Sequence, residues 1–468
     1  MEQLHGLDSI MVLGEIPNVP LHIGALFIYH SKQDFDFEAL NTLLERQIRE
    51  HLPILQCRLE TLPWSVDKPY WVKDPNFCFA AHVQHFALPE PANWDALHQV
   101  AERFHAEPLN QQRPLWQALV IEGLDHCEDI PKGSVALIVK IHHALADGKT
   151  AMRLFAALHS LLPEPGASLL AENMDWQSPD FSPPGMISKY SRAWWHAVSA
   201  PGRVMMDMVQ AVPGLLPSGS RSAPGGAGTA LAPTRFNAMP GADRLLGHLR
   251  MPMAQLKQLE TACNVTINDI ALCVVAGGLR IYLDDHGELP DEDLIACMPI
   301  NTRHENDNSS FGNQVGFANL GLHTDIDDSL ARLEAIHQAT HQVKNESKRK
   351  KSGSLVSLLD HLNPGLLVWA GQKMVDSGML EKIRPLNNTV VTNVPGLDQT
   401  CYLNGARLVD YLGLGLLAPT VSLFHVVSSV ETHVNITFIS CRSAMDDPQH
   451  YVAALQTAWQ QLLDAADC

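Results

Sequence analysis

A segment rich in proline, glycine, serine and alanine interrupts the chain near its middle, from about Pro163 to Pro240 and most densely from Pro213 to Pro233. Such a composition does not support a packed helix or strand and is typical of a linker. The 468-residue chain is also longer than one ordinary core allows. We therefore predict two domains, residues 1–165 and 241–468, joined by a Pro/Gly-rich linker over residues 166–240.

Both halves mix helical and strand patterns, which predicts an α/β (α+β) fold. In the first half, apolar residues at helical spacing predict a helix from Phe37 to His51, and the runs Trp116–Gly123 and Ser134–His142 predict neighbouring strands. In the second half, an apolar run that opens at Asn268-Asp269 predicts a helix, and Thr389–Val394 predicts a strand. Two halves of similar size and class joined by a long linker place a shared active site between them.

Charge and cysteine content restrict the function classes. A net charge of -18 argues against a general nucleic-acid binder, although it leaves room for a local basic site for a phosphate-bearing cofactor. The nine cysteines form no Cys-x-x-Cys pair, which indicates a reducing compartment rather than a disulfide framework or a zinc site. The N-terminus lacks a signal-peptide pattern, and the uncharged run Tyr411–Val430, broken by glycines and a proline, favours buried strands over a bilayer helix. We therefore predict a cytoplasmic protein.

Two segments could meet a lipid or anionic surface without crossing a membrane. Met186–Val212 carries Trp194-Trp195 together with basic residues, as an amphipathic helix at a lipid surface would. The alternative, a helix packed on the protein, is favoured. The basic run Lys348–Lys351 could meet CoA phosphates or an anionic membrane, but a solvated helix end is again favoured. A peripheral position on the inner membrane or on lipid inclusions therefore stays open.

The apolar run Val135–Ile141 is followed by His142 and His143. Adjacent side chains on a strand point to opposite faces, so one histidine can face a cavity while the other is tucked into protein. For the same reason we expect no metal site built from His142, His143 and Asp147. A histidine with a pKa near 6.5 can accept a proton at neutral pH, which makes this strand end a candidate general-base site. A lone histidine here would more often be a core residue.

The pattern His-His-x-x-x-Asp-Gly over residues 142–148 resembles the signature of the CoA-dependent acyltransferase superfamily, which includes chloramphenicol acetyltransferase and the condensation domains of peptide synthetases. Further motifs, spread over nearly the whole chain in the expected order, resemble those of bacterial wax ester synthase/diacylglycerol acyltransferases. They are Leu7-Asp8-Ser9-Ile10, Pro20-Leu21-His22-Ile23-Gly24, Pro114-Leu115-Trp116, Asn268-Asp269, Pro299-Ile300-Asn301-Thr302-Arg303, Gly312-Asn313 and Thr392-Asn393-Val394-Pro395-Gly396.

This resemblance implies two chloramphenicol-acetyltransferase-like domains with an active-site tunnel at their interface. It also implies transfer of a fatty acyl group from acyl-CoA to a long-chain alcohol, giving wax ester, or to diacylglycerol, giving triacylglycerol. Acyl-CoA would be a co-substrate, with no bound cofactor, no metal and no acyl-enzyme. His143 would be the general base, His142 a supporting residue, and Asn268 a contact of the oxyanion or the acceptor.

The remaining motif residues receive roles from the same resemblance. Asp147 would pair with Arg303 as a structural residue, in preference to the alternative that it orients His143, and Gly148 would be structural. The residues expected to bind substrate are Asn268, Asp269, Asn393, Pro395 and Gly396. From the residues alone, a helix cap at Asn268-Asp269 and a strand-end turn at Asn393–Gly396 remain alternatives. Pro114-Leu115-Trp116 is expected to serve packing rather than chemistry.

Two other functions are compatible with this fold. A condensation-type enzyme would take its acyl group from a carrier protein, and the lack of a carrier-domain pattern disfavours it. An inactive lipid-body-associated protein would need no catalytic histidine, and the intact pair His142-His143 disfavours it.

Overall fold

The computed structural model describes residues 2–16, 18–31, 35–145, 154–164, 181–182, 185–196, 199, 231–301, 315–349, 362–379, 385–394, 396 and 399–467. Its helices are α1 (Gly6–Leu13), α2 (Phe37–His51), α3 (Trp94–Ala106), α4 (154–158), α5 (186–196), α6 (Met253–Cys263), α7 (Ile267–Asp285), α8 (Ser329–Arg349), α9 (Pro364–Asp376) and α10 (Pro448–Ala465). Among them, no single helix is long and apolar enough to cross a membrane. Helices α6 and α7, which meet at a bend of 100°, would together be long and apolar enough, by length and composition only.

The strands are β1 (Glu2–Gln3), β2 (His22–His30), β3 (Cys57–Glu60), β4 (Tyr70–Lys73), β5 (Val83–Ala87), β6 (Trp116–Glu122), β7 (Val135–His142), β8 (Leu245–Pro252), β9 (Ile295–Asn301), β10 (Val315–Gly321), β11 (Thr389–Val394), β12 (Tyr402–Leu403), β13 (Ala406–Leu414), β14 (Phe424–Val430) and β15 (His433–Ser440). The N-terminal sheet has the order β12-β13-β2-β7-β6-β5, and the C-terminal sheet β10-β9-β11-β14-β15-β8. A small third sheet has the order β1-β4-β3.

Local sequence signals explain several of these elements. The predicted helix Phe37–His51 is confirmed as α2, and the carboxylate of Asp36 caps it by accepting from the Ala39 N–H. The two predicted neighbouring strands are confirmed as β6 and β7, which pair antiparallel. The run Tyr411–Val430 forms strands and turns, as expected, rather than a helix.

Strand β7 is apolar along most of its length because both of its faces are buried. Ala136 and Ile138 belong to one apolar cluster, which continues through α3 into the C-terminal sheet and α7. Leu137 and Ile141 belong to the other cluster, on the opposite face. The period of two thus assigns Lys140 to the face of the first cluster.

Strand β13 crosses from the second half of the chain into the N-terminal sheet. It pairs antiparallel with β2, with Tyr411 opposite Phe27, and the chain then returns to the C-terminal sheet as β14. The crossing is held by the fully buried carboxylate of Asp410, which accepts from Asn435 Nδ2 at 2.6 Å and lies 2.8 Å from His433 Nε2. The two halves therefore share a strand, a feature for which the sequence carried no signal.

Candidate active site

The two histidines lie where β7 ends and a 3-10 turn, His143–Leu145, begins. The His142 N–H donates to the carbonyl of Leu115 at 3.0 Å, and the His143 N–H donates to the carbonyl of Leu21 at 2.8 Å. Both carbonyls belong to the family motifs named above: Leu115 directly precedes β6, and Leu21 directly precedes β2. These motifs therefore fix the backbone of the histidine turn from both neighbouring strands.

The two imidazoles have different environments. His142 is fully buried, and its Nδ1 accepts from the Ala144 N–H at 3.1 Å, which places its proton on Nε2. Burial lowers the pKa of His142 to about 3. His143 is half-buried, and burial lowers its pKa as well. Both rings are therefore neutral at pH 7, and His143 is the one that solvent or a ligand can reach.

A buried cation on β7, which no sequence motif assigned a role, connects this strand to the end of α3. Lys140 is fully buried, and its ammonium donates to the carbonyls of Phe104 and Glu107 at 2.6 and 2.7 Å, at the C-terminal end of α3. The partial negative charge of a helix C-terminus stabilises such a cation. Burial nevertheless lowers the pKa of Lys140 to about 8. A lysine inside an apolar strand was the signal that could have found it.

Two further histidines extend this support. His22 lies opposite His142 in the β2–β7 ladder, and its Nε2 donates to the carbonyl of His105 at 2.6 Å. The Nε2 of His105 in turn donates to the carbonyl of Gly415, just beyond β13, at 2.7 Å. The end of α3 thus connects β2 and β13, the two strands on one side of the histidine turn, which restricts the movement of the turn.

Asn268 and Asn393, 125 positions apart, are brought together. The Nδ2 of Asn393 donates to the Oδ1 of Asn268 at 3.4 Å. Asn268 is half-buried in the first turn of α7, and Asn393 is exposed near the end of β11. Val394 packs against the same apolar cluster that contains Ala144 and Leu145.

Asp269 lies in a different environment from the adjacent Asn268. It is fully buried, and its carboxylate accepts from Thr266, His337 and Thr340. With Thr266 it forms the capping box at the start of α7. These contacts favour the helix-cap alternative for Asp269 over substrate binding.

Gly396 follows β11, where its N–H donates to Ser429 Oγ at 3.1 Å. A Cβ here would lie 2.0 Å from the carbonyl oxygen of Ser429, so only glycine fits. A cavity of about 150 Å³ adjoins it, lined in part by Phe155 and Tyr411. Since ligand pockets usually span about 300–1,000 Å³, this cavity does not by itself form the expected tunnel.

The other motif residues with expected roles, Asp147, Gly148, Arg303 and Pro395, lie outside the described residues. So do the ends of the basic run, Lys350 and Lys351, and the dense part of the linker, Pro213–Pro233. Their roles stay predictions.

Comparison with solved structures identifies the class of fold. A wax ester synthase/diacylglycerol acyltransferase from Marinobacter aquaeolei superposes over 100% of both chains with a TM-score of 0.72 and 21% identity. The starter condensation domain of rhizomide synthetase, solved in complex with C8-CoA and Leu-SNAC, gives a TM-score of 0.56 at 15% identity, covering 100% of this chain and 94% of that one. The fold is thus the two-domain, chloramphenicol-acetyltransferase-like fold that such acyltransferases share with condensation domains.

Comparison of sequences identifies the family. Residues 4–271 match the wax ester synthase/diacylglycerol acyltransferase catalytic domain, and residues 311–463 match the C-terminal domain of the same proteins. The chain therefore belongs to the wax ester synthase/diacylglycerol acyltransferase family and is an O-acyltransferase of that type. A putative diacylglycerol O-acyltransferase of Mycobacterium tuberculosis is 29% identical over 472 residues, covering 97% of this chain and 98% of the relative. A second, described as probable, is 27% identical over 471 residues, covering 98% of each chain.

Proposed function

We propose that this enzyme transfers a fatty acyl group from acyl-CoA to a long-chain alcohol or to diacylglycerol, with His143 as the general base. His143 takes the proton of the acceptor hydroxyl, and the oxygen attacks the thioester carbonyl. The tetrahedral intermediate then collapses, the C–S bond breaks, and the CoA thiolate takes the proton from His143. The products are the ester and free CoA, and no acyl-enzyme forms.

The setting of His143 carries this proposal. Its backbone is fixed by the Leu21 carbonyl, and its imidazole is half-buried, so a hydroxyl can approach while most water is kept away. Because burial lowers the pKa of His143, the ring stays neutral and able to accept a proton to a lower pH than a free histidine does. His142 is buried behind it and holds the turn through Ala144, which is a supporting role.

Asn268 is the proposed contact of the oxyanion or the acceptor. The Asn393 amide donates to Asn268 Oδ1 at 3.4 Å, a long hydrogen bond that favours one orientation of the Asn268 amide. Its Nδ2 then points away from Asn393 as a donor. A donor held in place before the reaction stabilises a developing negative charge better than one that must reorient.

The comparisons support the choice of substrates. The curated relatives are named diacylglycerol O-acyltransferases, and a condensation domain of the same fold is in complex with C8-CoA. We also propose that the enzyme works in the cytoplasm, peripherally on the inner membrane or on lipid inclusions, since both products of this chemistry are neutral lipids. The pair of Asp147 with Arg303 remains part of this proposal as a structural element.

The test is CoA release by purified protein from palmitoyl-CoA with either hexadecanol or diacylglycerol. His143→Ala should lower kcat/KM by about 10²–10⁴-fold, as expected for loss of a general base. The matched control is His126→Ala, an exposed histidine in the turn between β6 and β7, which should leave the rate unchanged. Wild-type kcat/KM should fall on the acid side with an apparent pKa below the 6.5 of a free histidine, because burial lowers the pKa of His143. Full activity of His143→Ala, or no turnover with either acceptor, would refute the proposal.

A further inference from the structure

Helix α5 exposes an apolar stripe of unusual size. Its exposed large side chains lie at helical spacing on one side, and their exposed fractions are 56% for Met186, 88% for Ile187, 46% for Tyr190, 66% for Trp194 and 57% for Trp195. Residues four and eight positions apart share one side of a helix. The stripe is therefore a continuous surface and not a set of isolated apolar residues.

The inner side of α5 is charged, which inverts the usual arrangement. The buried Lys189 ammonium forms an ion pair with Glu60, and His196 Nδ1 lies 3.0 Å from the carboxylate of Asp67. A helix on the surface of a water-soluble protein normally buries its apolar side and exposes its charges. Helix α5 is instead fastened to the protein by polar contacts and turns its apolar side outward.

Helix α9, from a distant part of the chain, also exposes apolar side chains. Of its side chains only Pro364 is buried, while Leu366 and Trp369, three positions apart, are 64% and 61% exposed. The side chain of Asn363, which caps the helix, donates to the carbonyl of Val66 at 3.0 Å. Val66 is itself 38% exposed.

The anchors of both helices lie within a few residues of each other. Helix α5 contacts Glu60 and Asp67, and the cap of α9 contacts Val66. Both helices therefore attach to residues 60–67, which begin at the last residue of β3. We call the exposed side of α5 together with Leu366 and Trp369 the two-helix face. At about 150–250 Å² per aromatic side chain, its three tryptophans alone expose about 300–450 Å². Apolar patches of about that size are the largest on a typical monomeric protein and are often functional.

The composition of the two-helix face fits a phospholipid surface better than a protein. Tryptophan and tyrosine are the residues enriched where a bilayer meets water. In a chain of net charge -18, residues 185–196 contain no carboxylate, and Arg192 is their one lysine or arginine outside the inner ion pair with Glu60. The only carboxylate in α9 is its last residue, Asp376. Anionic head groups would therefore meet no repelling charge on either stripe.

The two-helix face is also close to the candidate active site. Helix α9 packs against α1, and α1 packs against the histidine turn His143–Leu145. A single short helix therefore separates the face from His143. A lipid acceptor leaving a membrane at this face would therefore enter the protein one short helix away from the turn.

From these observations we propose that α5 and α9 form the docking face by which the enzyme sits on a phospholipid surface, with the histidine turn facing that surface. The docking itself rests on the exposed helices. The delivery of the acceptor to the turn rests in addition on the proposed function.

The binding test uses the full chain and sedimentation with vesicles of phosphatidylcholine containing phosphatidylglycerol. The double variants Trp194→Ser/Trp195→Ser and Leu366→Ser/Trp369→Ser should each lower the fraction bound at least tenfold. Because these side chains are exposed, the melting temperature should not fall. The matched control is Phe86→Ser, a 43% exposed residue on the edge strand β5, which should bind as the wild type does. Wild-type binding by both double variants would overturn the docking face.

An activity assay separates this proposal from the proposed function. With palmitoyl-CoA and the water-soluble acceptor hexanol, the double variants should match the wild type, whereas with diacylglycerol in vesicles they should lose most of the rate. Loss of vesicle binding without acyl transfer to any acceptor would support docking and refute the function. Size-exclusion chromatography tests whether a second copy of the chain binds this face instead of a membrane. A wild-type dimer that the double variants convert to monomer would show that it does, and would overturn the proposal.

Discussion

The carboxylate of Asp269 provides a sharp test of whether the Asn268-Asp269 motif serves structure or chemistry. Its Oδ2 accepts from the Thr266 N–H at 3.0 Å, from Thr266 Oγ1 at 2.8 Å and from His337 Nδ1 at 2.8 Å. Its Oδ1 accepts from Thr340 Oγ1 at 2.7 Å. One fully buried side chain thus caps α7 and ties it to α8.

Asp269→Ala removes all of these hydrogen bonds and leaves buried donors without an acceptor. Loss of a buried charged partner costs about 3–5 kcal/mol. For a domain of this size about 2–4 °C is lost per kcal/mol, so the melting temperature should fall by roughly 6–20 °C. Asp269→Asn keeps one acceptor oxygen and should lose about 1–3 kcal/mol.

The stability that Asp269 contributes depends on pH, and the sign of this dependence follows from its pKa. Burial would raise the pKa of Asp269, but the hydrogen bonds from His337, Thr266 and Thr340 outweigh it and lower the pKa below that of the unfolded chain. The carboxylate therefore contributes stability above the unfolded pKa of about 3.9, and this contribution is lost as the pH falls through the lower, folded value. The difference between wild type and Asp269→Ala should be full at pH 7 and shrink below about pH 4.

The assay is differential scanning calorimetry together with acyl-transfer kinetics, and the matched control is the adjacent Asn268→Ala. Asn268 is half-buried and its one described hydrogen bond is long, at 3.4 Å. Its variant should stay within about 1 kcal/mol of wild-type stability while losing activity. If Asp269→Ala melted like the wild type but raised the KM for substrate, the assignment of Asp269 to the helix cap would be wrong.

Two further predictions concern buried groups near the histidine turn. Because burial lowers the pKa of Lys140 from 10.5 to about 8, the folded protein binds fewer protons than the unfolded chain between these values. The free energy of unfolding of the wild type should therefore gain up to about 3 kcal/mol from this group between pH 8 and 10.5. Lys140→Met should lack that gain when the two proteins are compared by denaturant unfolding at both pH values. Equal pH dependence of the two proteins would contradict this prediction. Trp116 Nε1 donates to the buried carbonyl of Leu55 at 2.8 Å. Trp116→Phe should therefore lose about 1–3 kcal/mol of stability in thermal unfolding, with kcat unchanged. A lower kcat at full stability would show that the Pro114-Leu115-Trp116 motif takes part in chemistry.

Short-range patterns predicted much of the fold. The bounds of α2 and β11 follow from periodicity and neighbouring polar residues, and both are found as predicted. Strand alternation predicted different environments for His142 and His143; the environments do differ, but because β7 ends at His142 and His143 begins the 3-10 turn. These features depend only on residues close in sequence, which is why the sequence alone could predict them.

Features that depend on distant partners could not be predicted in this way. The contact of Asn268 with Asn393 requires knowledge of how β11 lies beside α7. The same holds for α5, because an apolar stripe shows that a helix has two different sides but not which side faces the protein. Its charged side turns inward only because Glu60 and Asp67 meet it there. The anchoring of Lys140 on α3 likewise needs the packing of α3 across β7.

The crossing of β13 has a consequence for how the chain is made. Strand β2 is left without its outer neighbour until residues 406–414 have been synthesised, some 380 residues after β2 itself. An unpaired strand edge can bind the wrong partner, including another nascent chain. The N-terminal half therefore completes its sheet only after residue 414 has been made, and expressing residues 1–165 alone would leave β2 as a permanently open edge prone to aggregation.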